Sequence, residues 1–275
     1  NGATTDINAH HAFRPESRPA NRQAAREALG ISKDRRVGVV YAHAWYDFPH
    51  IFWLRNFTDF LDWMEVTLES ISRNTDVLWL LKPHPLESWY GAFRLADLAR
   101  DLPDHVRILP EETDSLAATL AADLGVTVHG TIGFEAAAHG IPMIGADRSY
   151  YGDWPFVHGA RSREHYRTLL QDAAHLVRPS DDVREAAAAF AYLACAPHPD
   201  DTDLLRLPCD SLGMALYQDI AARLRGDPGV CERETAALAD WLASGTDSYS
   251  VHAKLRHHAS VPNPDAMAYE KLGSA

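Results

Sequence analysis

The chain has 275 residues, a formal charge of −12, 46% hydrophobic residues and seven tryptophans, enough for a packed core and against general disorder. Its acidity argues against an extended nucleic-acid surface, which needs clustered cations to displace counterions from phosphates. Cys195, Cys209 and Cys231 show no C-x-x-C spacing, which suits a reducing cytoplasm, no run of the sequence is apolar and long enough to span a bilayer, and no signal peptide is expected.

Residues 1–20 read as an extended polar lead-in with Pro15 and Pro19, and residues 21–29 as a short helix stopped by Gly30. The Val-rich run 36–43 predicts a buried strand, followed by a loop over 44–50. A long helix is predicted from about 52 to 72, because Leu54, Phe57, Phe60, Leu61, Met64, Leu68 and Ile71 recur at threes and fours.

The alternation then repeats. Strands are predicted at 76–81, 106–109, 124–128 and 142–144, and helices at 90–100, 115–121, 132–139 and 162–176. Short continuous apolar strands alternating with helices predict a parallel sheet covered on both faces, an α/β Rossmann-like domain over residues 31–180. After Pro179 the pattern turns helical, with segments at 181–195, 211–225 and 231–243, a helical extension over 181–245, and an irregular tail over 246–275.

Two strand-end segments carry chemistry. Lys82-Pro83-His84-Pro85 follows the apolar run ending at Leu81. Pro83 forces the chain out of the sheet, and the two prolines leave His84 little freedom. Lys82 and His84 both offer donors to phosphate oxygens, although a solvated lysine and an ordinary turn histidine give the same string. Gly130-Thr131-Ile132-Gly133-Phe134-Glu135 stands between a strand and a helix. There Thr131 is a candidate N-cap, helix-start N–H groups favour an anion, and the two glycines permit close approach of a ligand. Glu135 is placed to bond a ribose diol or simply to face the helix dipole. Neither G-K-[ST] nor G-x-G-x-x-G follows, which lowers ATPase and dinucleotide readings.

Two further loops leave strands at the same edge. The first, residues 41–50, holds His43, Asp47 and His50 among aromatics. It has too few carboxylates and no H-E-x-x-H partner, so no metal is expected. The second, Asp147-Arg-Ser-Tyr150-Tyr151-Gly-Asp-Trp154, offers rings that stack a base or a sugar, or that pack under helices.

In this order, K-P-H-P, G-T-I-G-F-E-A-A-A-H-G-I-P and S-Y-Y-G-D-W-P-F resemble the capsule and lipopolysaccharide polysaccharide biosynthesis family, which includes bacterial Kdo transferases, over residues 36–170. The resemblance implies half of a GT-B glycosyltransferase, the domain that binds a nucleotide sugar such as a CMP-Kdo-like donor. It further implies that Lys82, His84, Gly130, Thr131 and Gly133 hold the donor phosphate and that Glu135 contacts the ribose. His43, Tyr150, Tyr151 and Trp154 would line the substrate loops, with Asp47 or His50 as a base. No cofactor or metal is implied. A polysaccharide or glycolipid acceptor and a second Rossmann-like domain would complete the site, in the cytoplasm at the inner face of the membrane. Only about 35 residues precede the first strand and the chain begins with Asn1, which fits a segment of a longer protein. A teichoic-acid-type polyol-phosphate transferase domain and a non-catalytic binding module remain as alternatives.

Overall fold

The computed structural model describes residues 18–45, 47, 54–89 and 93–195, with scattered positions between 218 and 243. Two compact units divide the chain, Asp6–Ala196 and Pro197–Ala275 with Asn1–Thr5. In the second unit, the described positions within 211–225 and 231–243 are helical. The lead-in over 1–17 and the tail over 246–275 lie outside the described residues.

The first unit runs α1 (Arg22–Ala28), β1 (Val37–Tyr41), α2 (Phe60–Arg73), β2 (Leu78–Lys82), α3 (Leu95–Leu98), β3 (Val106–Ile108) and α4 (Ser115–Ala121). It continues with β4 (Leu124–Thr127), α5 (Ile132–Ala138), β5 (Met143–Gly145), β6 (Val157–Gly159), α6 (Arg163–Gln171) and α7 (Asp181–Cys195). The six strands form one sheet in the order β3-β2-β1-β4-β5-β6, every neighbouring pair parallel. This is the doubly wound Rossmann order, in which the winding reverses between β1 and β4.

Strand pleating sorts side chains onto two covered faces. Val40, Trp79, Leu81 and Val126 pack on one face with Phe60, Trp63 and Met64 of α2 and Tyr166 and Leu170 of α6. Val39, Leu78, Leu80 and Met143 pack on the other with Ala25 of α1, Ala118 of α4, Phe134 of α5 and Ala187 of α7. Because both faces are covered, the strands carry continuous apolar runs rather than alternation. The helix over 181–195, expected as part of an extension packed on the sheet domain, contributes Ala187 to this second face.

Three local differences from the sequence expectations have physical causes. Helix α2 begins at Phe60, eight residues later than its apolar stripe suggests. Asp59 caps it by accepting the Asp62 N–H at 2.8 Å. Residues Arg55 and Asn56 stay outside because their N–H groups donate to the Asp147 carboxylate, at 2.9 and 2.8 Å respectively. The helix expected over 90–100 is reduced to the single turn α3. The sixth strand, β6, lies where a loop was expected and is held by register with β5, Met143 opposite Val157 and Gly145 opposite Gly159. Gly30 fulfils the stop signal after α1, with φ of 63°.

Candidate functional site

A parallel sheet opens its ligand crevice at the carboxyl ends of its strands, at the point where the winding reverses. In this chain the carboxyl ends of β1, β2 and β4 meet there, and each is followed within two residues by a histidine: His43 after β1, His84 after β2, and His129 after β4. The three imidazoles converge. Ring centroids of His43 and His129 are 4.7 Å apart, and those of His43 and His84 are 6.2 Å apart and nearly parallel. Phe60 from the start of α2 supports the group, 4.3 Å from His43 and stacked at 23°.

Burial holds all three rings neutral at physiological pH. His43 is driven down to about 3, first by loss of hydration and then by its imidazole neighbours His129 and His84. His84 falls to about 4 through burial and the nearby Lys82 ammonium. His129 is lowered by burial. Asp47 opposes the shift at His84 and at His129, and its carboxylate stands 3.7 Å from His43 Nδ1.

The Pro-His-Pro turn also fixes a tautomer. The Leu86 N–H donates to His84 Nδ1 at 3.2 Å, so the neutral ring carries its proton on Nε2 and presents a donor there. Lys82 has a different place from the solvated lysine of an ordinary turn. It is 2% exposed, and its ammonium donates to the main-chain carbonyls of Pro83 at 3.1 Å and Glu111 at 2.9 Å. It therefore ties the turn to the loop after β3 and acts on His84 as a fixed positive charge.

The Gly130–Glu135 segment is built mainly by its own backbone. Gly130 donates to Thr127 Oγ1 at 3.1 Å, Gly133 to the Gly130 carbonyl at 3.0 Å, and Phe134 to the Thr131 carbonyl at 3.1 Å. Thr131 occupies the N-cap position of α5, but its side chain makes no capping bond and is exposed at the crevice edge. Glu135 follows in the first turn, half-buried, and its charge helps to push up the buried phenols of Tyr41 and Tyr151 after burial itself.

The expectations for Gly133 and Tyr151 need correction together. A methyl group on Gly133 would stand 2.7 Å from two Tyr151 ring carbons and still nearer its hydroxyl. The missing side chain makes room for this ring rather than for a ligand. Tyr151 is fully buried, wedged edge-on against Phe134 and Phe190, and its hydroxyl donates to the Gly130 carbonyl at 2.5 Å. It is the post on which the Gly130 turn rests and is not a substrate-loop residue. Its neighbours differ: Tyr150 is 65% exposed and stacked on Phe190, and Trp154 is 40% exposed.

Asp47 is present at the crevice, whereas His50 lies outside the described residues. Two buried carboxylates escaped sequence reasoning. Glu87 Oε1 accepts Trp45 Nε1–H at 2.9 Å and the Leu95 N–H at 2.8 Å, which anchors the start of the first loop. Asp147 accepts the N–H groups of Arg55, Asn56 and Arg148, the last at 2.6 Å, and so fastens the entry to α2 over the crevice. His129 was also missed. Its signal was positional: it ends a strand as His43 and His84 do. Among the described residues, no group of three His, Cys, Asp or Glu side chains is arranged to hold a metal ion, and no helix is long and apolar enough to cross a membrane.

No family model and no curated protein matches the chain. Among solved structures, the chain is similar to KpsC, a β-Kdo 2,4 transferase of Thermosulfurimonas dismutans, at 16% identity and a TM-score of 0.40, covering 66% of this chain and 59% of that one. It is similar to WaaG, a glycosyltransferase involved in lipopolysaccharide biosynthesis, at 18% identity and 0.40, covering 66% and 49%. It is also similar to the wall teichoic acid polymerase TagF, at 16% identity and 0.38, covering 74% and 48%. The chain spans between 48% and 59% of these three structures.

Proposed function

We propose that the sheet unit is the donor-binding domain of a GT-B glycosyltransferase, which takes a sugar from a nucleotide-activated donor, CMP-Kdo-like in type, and passes it to a growing surface polysaccharide. The observation that carries this reading is the convergence of His43, His84 and His129 with the Gly130–Thr131 turn at the reversal point of the sheet. The motifs around these residues are those that resemble the polysaccharide biosynthesis family.

In this reading the His84 Nε2–H and the Thr131 hydroxyl donate to donor phosphate oxygens, and Lys82 supplies positive potential from behind the turn. Fixed donors and charge aimed at a leaving phosphate stabilise it as the glycosidic bond breaks, which is the term that such a site can supply without a metal. Glu135 accepts from the ribose diol, and Tyr150 and Trp154 offer open ring faces at the same edge. Asp47 or His50 is the candidate base. The acceptor and the second Rossmann-like domain belong to the rest of the assembly, at the cytoplasmic face of the membrane.

Thermal-shift titration with CMP, CDP, UDP and GDP tests the reading. One preferred nucleotide should raise Tm, and His84→Ala or Glu135→Ala should abolish the shift, Glu135→Ala with the unliganded Tm nearly unchanged and His84→Ala with a modest fall, since it removes the acceptor of the Leu86 N–H. Stabilisation by CDP-glycerol in place of a nucleotide sugar would move the assignment to a polyol-phosphate transferase. No shift with any nucleotide would make the unit a non-catalytic scaffold.

A further inference from the structure

Three neutral imidazoles gathered at one edge of the sheet, with His43 between the other two, are an odd set of groups for a site that merely donates hydrogen bonds to an anion. Resting on the donor-site reading above, we infer that His43 and His129 form, beside His84, an anion subsite that takes up a proton from solvent when a phosphate group enters.

His84 has its Nδ1 occupied by the Leu86 N–H, so a further proton there would displace a main-chain hydrogen bond. His43 Nδ1 stands against two acceptors, the Ala44 carbonyl at 3.4 Å and the Asp47 carboxylate at 3.7 Å, which suits a proton on Nδ1 and leaves Nε2 as the basic atom. His129 lies 4.7 Å from His43, ring to ring, on the opposite side of the winding reversal.

The surrounding charges are of both signs. From the β1 loop comes Asp47, from the end of β2 Lys82, from the loop after β3 Glu111, and from the loop after β5 Asp147. From α2 comes only the uncharged Phe60 ring. Burial outweighs the carboxylates, and the rings stay neutral. A phosphate among them reverses that balance, because an opposite charge at about 4–6 Å raises a group's proton affinity roughly ten- to a thousand-fold. The proton moves from bulk solvent to His43 Nε2 or to the His129 ring, and the resulting imidazolium pairs with the phosphate. No covalent bond changes. Binding therefore tightens as pH falls below about 7.

Isothermal titration calorimetry of the full chain tests this at pH 6.5, in three buffers of different ionisation enthalpy, with the nucleotide that gives the largest thermal shift and with inorganic pyrophosphate. The expected result is a buffer-dependent enthalpy that corresponds to net proton uptake, up to about 0.2 proton per ligand at pH 6.5 for a full thousand-fold rise of His43 from about 3, growing toward pH 5.5 and fading by pH 8.5. His43→Asn and His129→Asn should each reduce the uptake. The nucleotide's own second phosphate proton is common to wild type and variants, so the difference reports the imidazoles. The wild-type buffer series needs no variant to fold. Nucleotide binding with the same enthalpy in every buffer would overturn the inference and leave the donor reading standing. Pyrophosphate binding with proton uptake, but no binding of any nucleotide, would overturn the donor reading and support the subsite. Binding of neither ligand would overturn both.

Discussion

Replacing Gly133 with alanine separates the two roles that a glycine at this turn can have. The new methyl group would stand 2.7 Å from the Tyr151 ring, which Phe134, Phe156 and Phe190 hold from other sides. Overpacking of a closed core costs ~1–3 kcal/mol, and an enclosed aromatic ring places this site near the upper figure. Displacing the ring also breaks the bond from the Tyr151 hydroxyl to the Gly130 carbonyl, about 1 kcal/mol more. Alanine returns about 1 kcal/mol through its better helix propensity. The expected net loss is about 3 kcal/mol, or a fall of roughly 6–12 °C in Tm for a unit of this size. Denaturant unfolding and thermal melting measure it. Tyr151→Phe should cost about 1 kcal/mol in the wild type and less in the Gly133→Ala background, because the two changes act on the same bond. An unchanged Tm with lost nucleotide binding would refute this reasoning and return Gly133 to the ligand.

Asp147→Ala strands three main-chain donors that the carboxylate holds, so a loss of about 2–4 kcal/mol is expected from bonds to a charged acceptor; a change within experimental error in urea unfolding would contradict the fastening role. His43 and His84 bind protons more weakly folded than unfolded, so stability is full above about 6.5, the ordinary imidazole value, and falls as pH drops from there toward about 4 and then 3. His43→Asn should flatten that acid limb, as followed by Tm against pH; an unchanged limb would show that other groups cause it. Tyr150→Ala should leave Tm within about 1 °C, since the ring is largely exposed and such substitutions are usually small in effect. It should weaken nucleotide binding severalfold by calorimetry, and unchanged affinity would remove Tyr150 from the site.

Five of the six strands were legible because each lies in a largely apolar stretch set off by charged, Pro or Gly flanks, although β3 carries Arg107 at its centre. The run Val157-His-Gly was not, because three residues ending in glycine become a strand only through their pairing with β5, a contact that no local pattern encodes. The start of α2 was misplaced for the same kind of reason. Leu54 and Phe57 fall on the helical stripe, yet Asp147, more than 90 residues away, claims the N–H groups between them. In the candidate site, the strand-end positions of His84 and Gly130 were readable from proline and glycine punctuation. The role of Gly133 was not, since it depends on which side chain fills the space, and Tyr151 arrives from the next β-loop unit. His129 falls just past the strand expected over 124–128; its meaning lies in sharing one edge with His43 and His84, which follows from the strand order alone.

Whether these three imidazoles line a nucleotide-phosphate site is read out by NMR of the protein with 15N-labelled histidines, titrated with CMP, CDP, UDP and GDP. The ring-nitrogen signals of His43, His84 and His129 should shift together with one nucleotide, while those of His105, which precedes β3 at the amino edge of the sheet and bonds the Ile71 carbonyl, stay fixed. A nucleotide that binds without moving these three signals, or the failure of every nucleotide to move them, would contradict it.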